Sequence, residues 1–369
     1  MALVAPAPGG APAPPALSPP PGQPRFPHVD AVRALAALGV VAVHVAAFSG
    51  VTTSSRAGAF TARLDVGVAI FFCLSGFLLY RPYAATARAG RPSVALHDYA
   101  RRRALRILPA YWFALAVLAL WPGLNFTGGW WRYALLLQAY DSHTVLGGIP
   151  PAWTLCVEIS FYALLPLYAL ALRRARGSVA VELAVLAALS LAVLAFRTAL
   201  HHDGAAHTIE GALPGLFDWF AVGMALAVLS VAGRLPARAP WAWWAVSVGL
   251  FALVSTAVGA PRTYDERAWS GAGWLAVHVL YAAIAVSVVL PAIAGRDDRG
   301  PRRVLRVRVL AWLGLISYGI FLWHWPLLAE LRDHGVHGWA ALVAIGLPLT
   351  VACAALSYHL VERPLLTRK

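Results

Sequence analysis

The chain has 369 residues, of which 60% are hydrophobic and only 12% charged, with a mean hydropathy of +0.67. Soluble domains average about 25% charged residues, so the composition excludes an ordinary soluble enzyme and indicates an all-α, polytopic membrane protein. The net charge of +14 does not indicate nucleic-acid binding, because the arginines cluster between apolar runs, where topology and anionic headgroups account for them.

Residues 1–26 are rich in Pro, Ala and Gly and lack the charged-then-apolar order of a cleaved signal, so they read as a disordered arm. Residues 27–364 read as one transmembrane domain and 365–369 as a short cytoplasmic tail. Ten apolar runs follow one another at roughly 29–49, 64–83, 104–121, 152–172, 179–199, 214–232, 241–259, 271–293, 309–330 and 339–361. Each suits a bilayer core of about 30 Å. The Trp-rich stretch 130–140 is too short to span and reads as an interfacial or re-entrant helix.

Charge bias sets the expected orientation. With a cytoplasmic N-terminus, the inner side holds Arg25, Arg33, the seven arginines from Arg81 to Arg106, Arg173, Arg174, Arg176, Arg234 and Arg238. It also holds the six from Arg296 to Arg308, and Arg363, Arg368 and Lys369, which makes 23 of the 30 basic residues. The outer side receives Arg56, Arg63, Arg132, Arg262, Arg267 and Arg332. Both termini are therefore expected inside.

The first run carries Asp30, Arg33 and His44. Eleven residues separate Arg33 from His44, about three turns plus 20°, so the two share a helical face about 16 Å apart along the axis. An arginine within a membrane helix costs at least about 2.5 kcal/mol on insertion scales, so such a stripe faces a protein interior. Asp30 reads as a partner that holds Arg33 in place.

In the second run, Ser75-Gly76 falls near mid-membrane and reads first as a helix-packing pair. The third opens on YARRRALRILPAYW, with Arg103 and Arg106 on one face. Guanidinium forks suit phosphates, and the simpler alternative is an anchor on lipid headgroups. In the fourth, Glu158 lies about 10 Å below the outer boundary and His44 about 8 Å below its own, so the two can meet. A carboxylate bound to one imidazole nitrogen leaves the other as a base. In the ninth, His324 reads as a hydrogen-bonded structural residue between Trp323 and Trp325. In the tenth, Glu362 reads as a residue of the cytoplasmic surface paired with an arginine. Cys73, Cys156 and Cys353 lie in apolar runs without metal-ligand spacing, and no metal site is expected.

These elements occur as VRALAALGVVAVH, GVAIFFCLSGFLL, RRRALRILPAYW, WTLCVEISFY, WLGLISYGIFLWHWP and SYHLVERP. Together, in this order, they resemble the membrane-bound acyltransferase 3 family of bacterial O-acetyl- and O-acyltransferases of polysaccharides and antibiotics. The resemblance implies ten helices in the bacterial plasma membrane and an acyl group, chiefly acetyl, taken from cytoplasmic acyl-CoA as donor substrate with no resident cofactor. It implies His44 as catalytic base, Glu158 as the acidic member of its motif, and Arg103 with Arg106 as donor-binding residues. Arg33 joins them as a donor-side cation. The acceptor is expected to be a hydroxyl of a glycan, a lipid-linked sugar or a macrolide-type metabolite. Two positions depart from the pattern: Ala69 and Ile159 stand where many members carry an acid. With no hydrolase-like domain expected after the tenth span, transfer would be completed by the membrane domain or a separate protein. A transporter of a small solute, or an inactive relative that only binds its glycan, would carry the same buried charges.

Overall fold

The computed structural model describes residues 26–172, 178–200, 211–236, 238–258, 271–294 and 300–367, and among them there is no strand. The arm up to Arg25 lies outside these residues, as do Arg173, Arg174, Arg176, Arg262, Arg267, Arg296, Arg299, Arg368 and Lys369.

All ten expected spans are helical. We label them α1 (Pro27–Phe48), α2 (Gly67–Arg88), α3 (Leu96–Leu120), α4 (Trp153–Ala171), α5 (Val179–Leu200), α6 (Leu213–Val231), α7 (Pro240–Thr256) and α8 (Gly271–Ile293). Among the described residues eight helices are long and apolar enough to span on their own, and α7, at 17 residues, is a shorter apolar helix. The stretch 130–140 contains a helical turn over Trp130–Ala134 and a 3-10 turn over Gln138–Tyr140.

The ninth span is not the continuous helix expected from its apolar run. It is two helices, α9 (Arg308–Leu315) and α10 (Ser317–Asp333), bent by 71° at Ile316. Two residues before the bend α9 packs closely on α1 at Gly314, where a Cβ would strike the backbone carbonyl of Asp30. The tenth span, α11 (Trp339–Leu366), is a long helix with π-helical segments at Leu342–Gly346 and Tyr358–Glu362. Such insertions re-aim side chains and are frequent at functional sites.

Small residues build the core, as expected where lipid supplies no hydrophobic drive between helices. α2 and α6 meet through reciprocal glycines. A Cβ on Gly76 would meet the Phe220 carbonyl, and one on Gly223 would meet the Cys73 carbonyl. Phe220 stacks between Phe72 and Phe161, at 4.4 and 4.1 Å between ring centroids. Asp218 and His278 join α6 to α8 by a buried contact of 2.8 Å, with Trp219 stacked on the His278 ring at 4.6 Å.

Helix α3 leans on α4, α10 and α11 and joins that core through Tyr99, which packs edge-on against Tyr83 of α2 at 6.0 Å. Its arginines, Arg101, Arg102, Arg103 and Arg106, line the cavity described below. Replacing Gly223 with Ala is expected to destabilise the solubilised chain by about 1–3 kcal/mol, the usual range for overpacking. Gly249→Ala in α7, where an added Cβ meets nothing within 4 Å, is expected to be neutral or stabilising. Thermal melts of the two variants in one detergent compare them directly.

Candidate active site

A cavity of about 760 Å³ opens between α1, α2, α3, α4, α10 and the end of α11. This is within the usual size of a small-molecule site. One end is lined by Arg101, Arg102, Arg103 and Arg106 of α3 with Tyr83 of α2. Along α2 the lining runs from Tyr83 to Val68, about 22 Å of helix rise. Its other end is lined by Val40, Val68, Phe71 and Phe321.

The cavity brings four of the five expected site residues together: Arg33, Arg103, Arg106 and Glu158. Arg33 lies within electrostatic reach of Asp30, Arg106, Glu158 and Tyr162, yet makes no direct hydrogen bond or ion pair among the described residues. The expected Asp30–Arg33 pairing is thus a charge nearby rather than a contact. Arg103 is half-buried, and its buried Nε has no hydrogen-bond partner among the described residues. Clustered guanidiniums with unfilled donors gain most from an anion bound among them.

Glu158 is held differently from the expectation. Its Oε1 accepts hydrogen bonds from Ser75 Oγ and from Tyr162 Oη, both at 2.6 Å. Tyr162 is one turn beyond Glu158 on α4, whereas Ser75 comes from α2. The Ser75-Gly76 pair therefore divides its work, since Gly76 packs on α6 while Ser75 faces the cavity. Glu362, expected at the surface, is buried at 5% exposure, within electrostatic reach of Arg106 and Arg33. Tyr318 completes this end of the site and donates to the Ile107 carbonyl at 3.1 Å.

His44 is not among the cavity-lining residues, and its hydrogen bond does not go to Glu158. Its Nδ1 lies 2.8 Å from Nε2 of His324 in α10, with the two rings stacked at 5.0 Å. Trp325 packs edge-on against the His44 ring at 4.6 Å. His44 sits one turn beyond Val40 on α1, and His324 one turn beyond Phe321 on α10. Phe321 touches both regions, since it lines the cavity and its ring lies 6.1 Å from that of His324. The site thus has two parts, a cationic cavity with Glu158 inside it and a histidine pair past its apolar end. Among the described residues no group of three or more His, Cys, Asp or Glu side chains is placed to hold a metal ion.

Residues 26–359 match the Acyltransferase domain family, Acyl_transf_3. The chain belongs to this acyltransferase family. Among its relatives, YrhL of Bacillus subtilis is 26% identical over 93% of this chain and 55% of its own length. The peptidoglycan O-acetyltransferase OatA of Listeria monocytogenes is 24% identical over 92% of this chain and 55% of its own. The exopolysaccharide production protein ExoZ of Rhizobium meliloti is 29% identical over 82% of this chain and 89% of its own. The chain thus spans about half the length of YrhL and OatA. No solved structure matches it.

The two departures from the acyltransferase pattern are absorbed by packing. Ala69 is fully buried in the α2 core, and Ile159 packs against the α3–α10 cluster. Ser75 and Glu362 are legible in the sequence only as a packing residue and a surface residue, and Tyr162 is not singled out there at all. The i, i+4 spacing of Glu158 and Tyr162 is a signal that was available for one of them. Glu158→Ala strands two hydroxyls beside Arg33 and is expected to destabilise the chain by about 1–2 kcal/mol. Glu158→Gln keeps an acceptor oxygen and is expected to lose less, which thermal melts of the two variants will resolve.

Proposed function

We propose that the chain is a membrane O-acyltransferase that moves an acyl group, chiefly acetyl, from acyl-CoA to a hydroxyl of a glycan-type acceptor. The observation that carries this reading is the arginine-lined cavity that starts at Arg101–Arg106, passes Glu158 and ends one helical turn short of His44. Membership of the acyltransferase family and relatives named for peptidoglycan and exopolysaccharide support it. The basic end of the cavity is the cytoplasmic end, both termini are cytoplasmic, and the membrane is the bacterial plasma membrane. That orientation rests on the charge bias of the connections.

In this reading Arg103, Arg106 and Arg33 hold the CoA phosphates, for which planar guanidiniums are well shaped. The pantetheine arm lies along the α1–α2 wall and brings the thioester to the Val40–Phe71–Phe321 end. Glu158, with Ser75 and Tyr162, lines the donor channel and steadies Arg33, rather than serving as the partner of His44. His44 takes the proton of the acceptor hydroxyl as its oxygen attacks the thioester carbonyl. The carbon–sulfur bond breaks, CoA leaves as thiolate, and the proton passes from His44 to sulfur. General-base help of this kind contributes about 10²–10⁴ in rate.

Membranes containing the full chain, incubated with [¹⁴C]acetyl-CoA and isolated peptidoglycan or exopolysaccharide, test the proposal. His44→Ala is expected to abolish transfer of label while leaving the protein in the membrane. The double change Arg103→Ala with Arg106→Ala is expected to raise KM for acetyl-CoA about 10- to 100-fold, the loss of one or two charge-assisted hydrogen bonds. Near-normal acetylation by His44→Ala would overturn the mechanism. Uptake of a solute without any CoA-dependent labelling would overturn the enzyme reading in favour of transport.

A further inference from the structure

The two histidines do not have equal access. His324 is 0% exposed, whereas His44 is only partly buried. A ring closed off on all sides cannot receive an acceptor hydroxyl, so only His44 can touch substrate.

The hydrogen bonds then fix the protons one after another. The carbonyl oxygen of Ile320, 3.0 Å from His324 Nδ1, can only accept. His324 Nδ1 therefore carries the hydrogen. In a neutral imidazole the other nitrogen is then bare, so His324 Nε2 is an acceptor. It lies 2.8 Å from His44 Nδ1, which must donate to it. That leaves His44 Nε2 without a hydrogen, the form a general base needs. The Ile320 carbonyl itself is fixed by the helical backbone of α10, so the order of donors and acceptors starts from a rigid group.

We propose that His324 is a positioning residue that sets His44 in its Nδ1–H tautomer through the relay Ile320 carbonyl, His324, His44. It rests on the assignment of His44 as acyl-transfer base. When His44 Nε2 accepts the proton of the acceptor hydroxyl, the resulting imidazolium keeps its Nδ1–H on the neutral His324 Nε2. No proton leaves the pair until CoA thiolate takes one from His44. Trp325, edge-on to the His44 ring at 4.6 Å, restricts rotation of the ring.

Two amide substitutions separate positioning from packing. A glutamine amide at position 324 reaches where Nε2 sits and can accept from His44, whereas an asparagine amide reaches only where Nδ1 sits. His324→Asn is expected to lower kcat for transfer from [¹⁴C]acetyl-CoA by about 10²–10⁴, as loss of tautomer control does elsewhere. KM for acetyl-CoA should stay within about threefold. His324→Gln is expected to recover kcat to within about tenfold of the unsubstituted chain. Independently of any acceptor, ¹⁵N spectra of the full chain with labelled histidine in nanodiscs are expected to show both rings neutral with hydrogen on Nδ1. The two signals are assigned by their loss in His44→Gln and His324→Gln. Hydrogen on Nε2 of His44 in the unsubstituted chain overturns the relay. So does wild-type kcat in His324→Asn while His44→Ala is inactive. Activity in His44→Ala brings down the base assignment instead, and the spectra still report on the relay itself.

Discussion

Charge in a bilayer has nowhere favourable to go except inward, and that constraint organises this protein. Each ionised side chain at membrane depth costs several kcal/mol unless it meets an opposite charge, a polar partner or water. Arg33, Arg103, Arg106, Glu158 and Glu362 come from four different helices and all gather around one space. The helices that carry them leave that space open between α3 and the α1–α2 wall. A cavity is therefore the structural consequence of the charges as much as a container for them.

The tight half of the molecule makes the loose half affordable. Reciprocal glycines between α2 and α6, and Gly314 against α1, bring backbones into contact and lock the helices that form the cavity wall. The bend between α9 and α10 lies two residues beyond the contact at Gly314. It turns α10 so that Tyr318 and Phe321 face the cavity while His324 continues toward His44.

Distance along α1 divides the chemistry. Arg33 and His44 lie on one face, yet about 16 Å of helix separates them. A cation suited to phosphate and a base suited to a hydroxyl need different surroundings. Around Arg33 there are carboxylates and phenols; around His44 there are Trp325 and a second imidazole. A long donor with its charge at one end and its reactive carbonyl at the other fits that separation.

Hydropathy sufficed to locate the ten apolar runs, all of which are helical, because in a bilayer an apolar run must satisfy its backbone within a helix. The same helical arithmetic put Arg33 and His44 on one face and marked the Arg103–Arg106 turn, since both are properties of a single helix. Contacts between helices were not legible in this way. Equal depth for His44 and Glu158 suggested a pair, but depth fixes only one coordinate, and rotation of α4 and α10 about their axes decided otherwise. Glu158 turned to Ser75 and Tyr162, His44 to His324, and Glu362 moved from the surface to the interior. The break at Ile316 was equally hidden, because a bent pair of short helices and one straight helix present the same apolar run. The order of apolar runs and the side chains on each are thus legible in the residues alone; which of those side chains meet, and where a run breaks, is settled by packing, because both depend on helix rotation and on close approach at particular glycines.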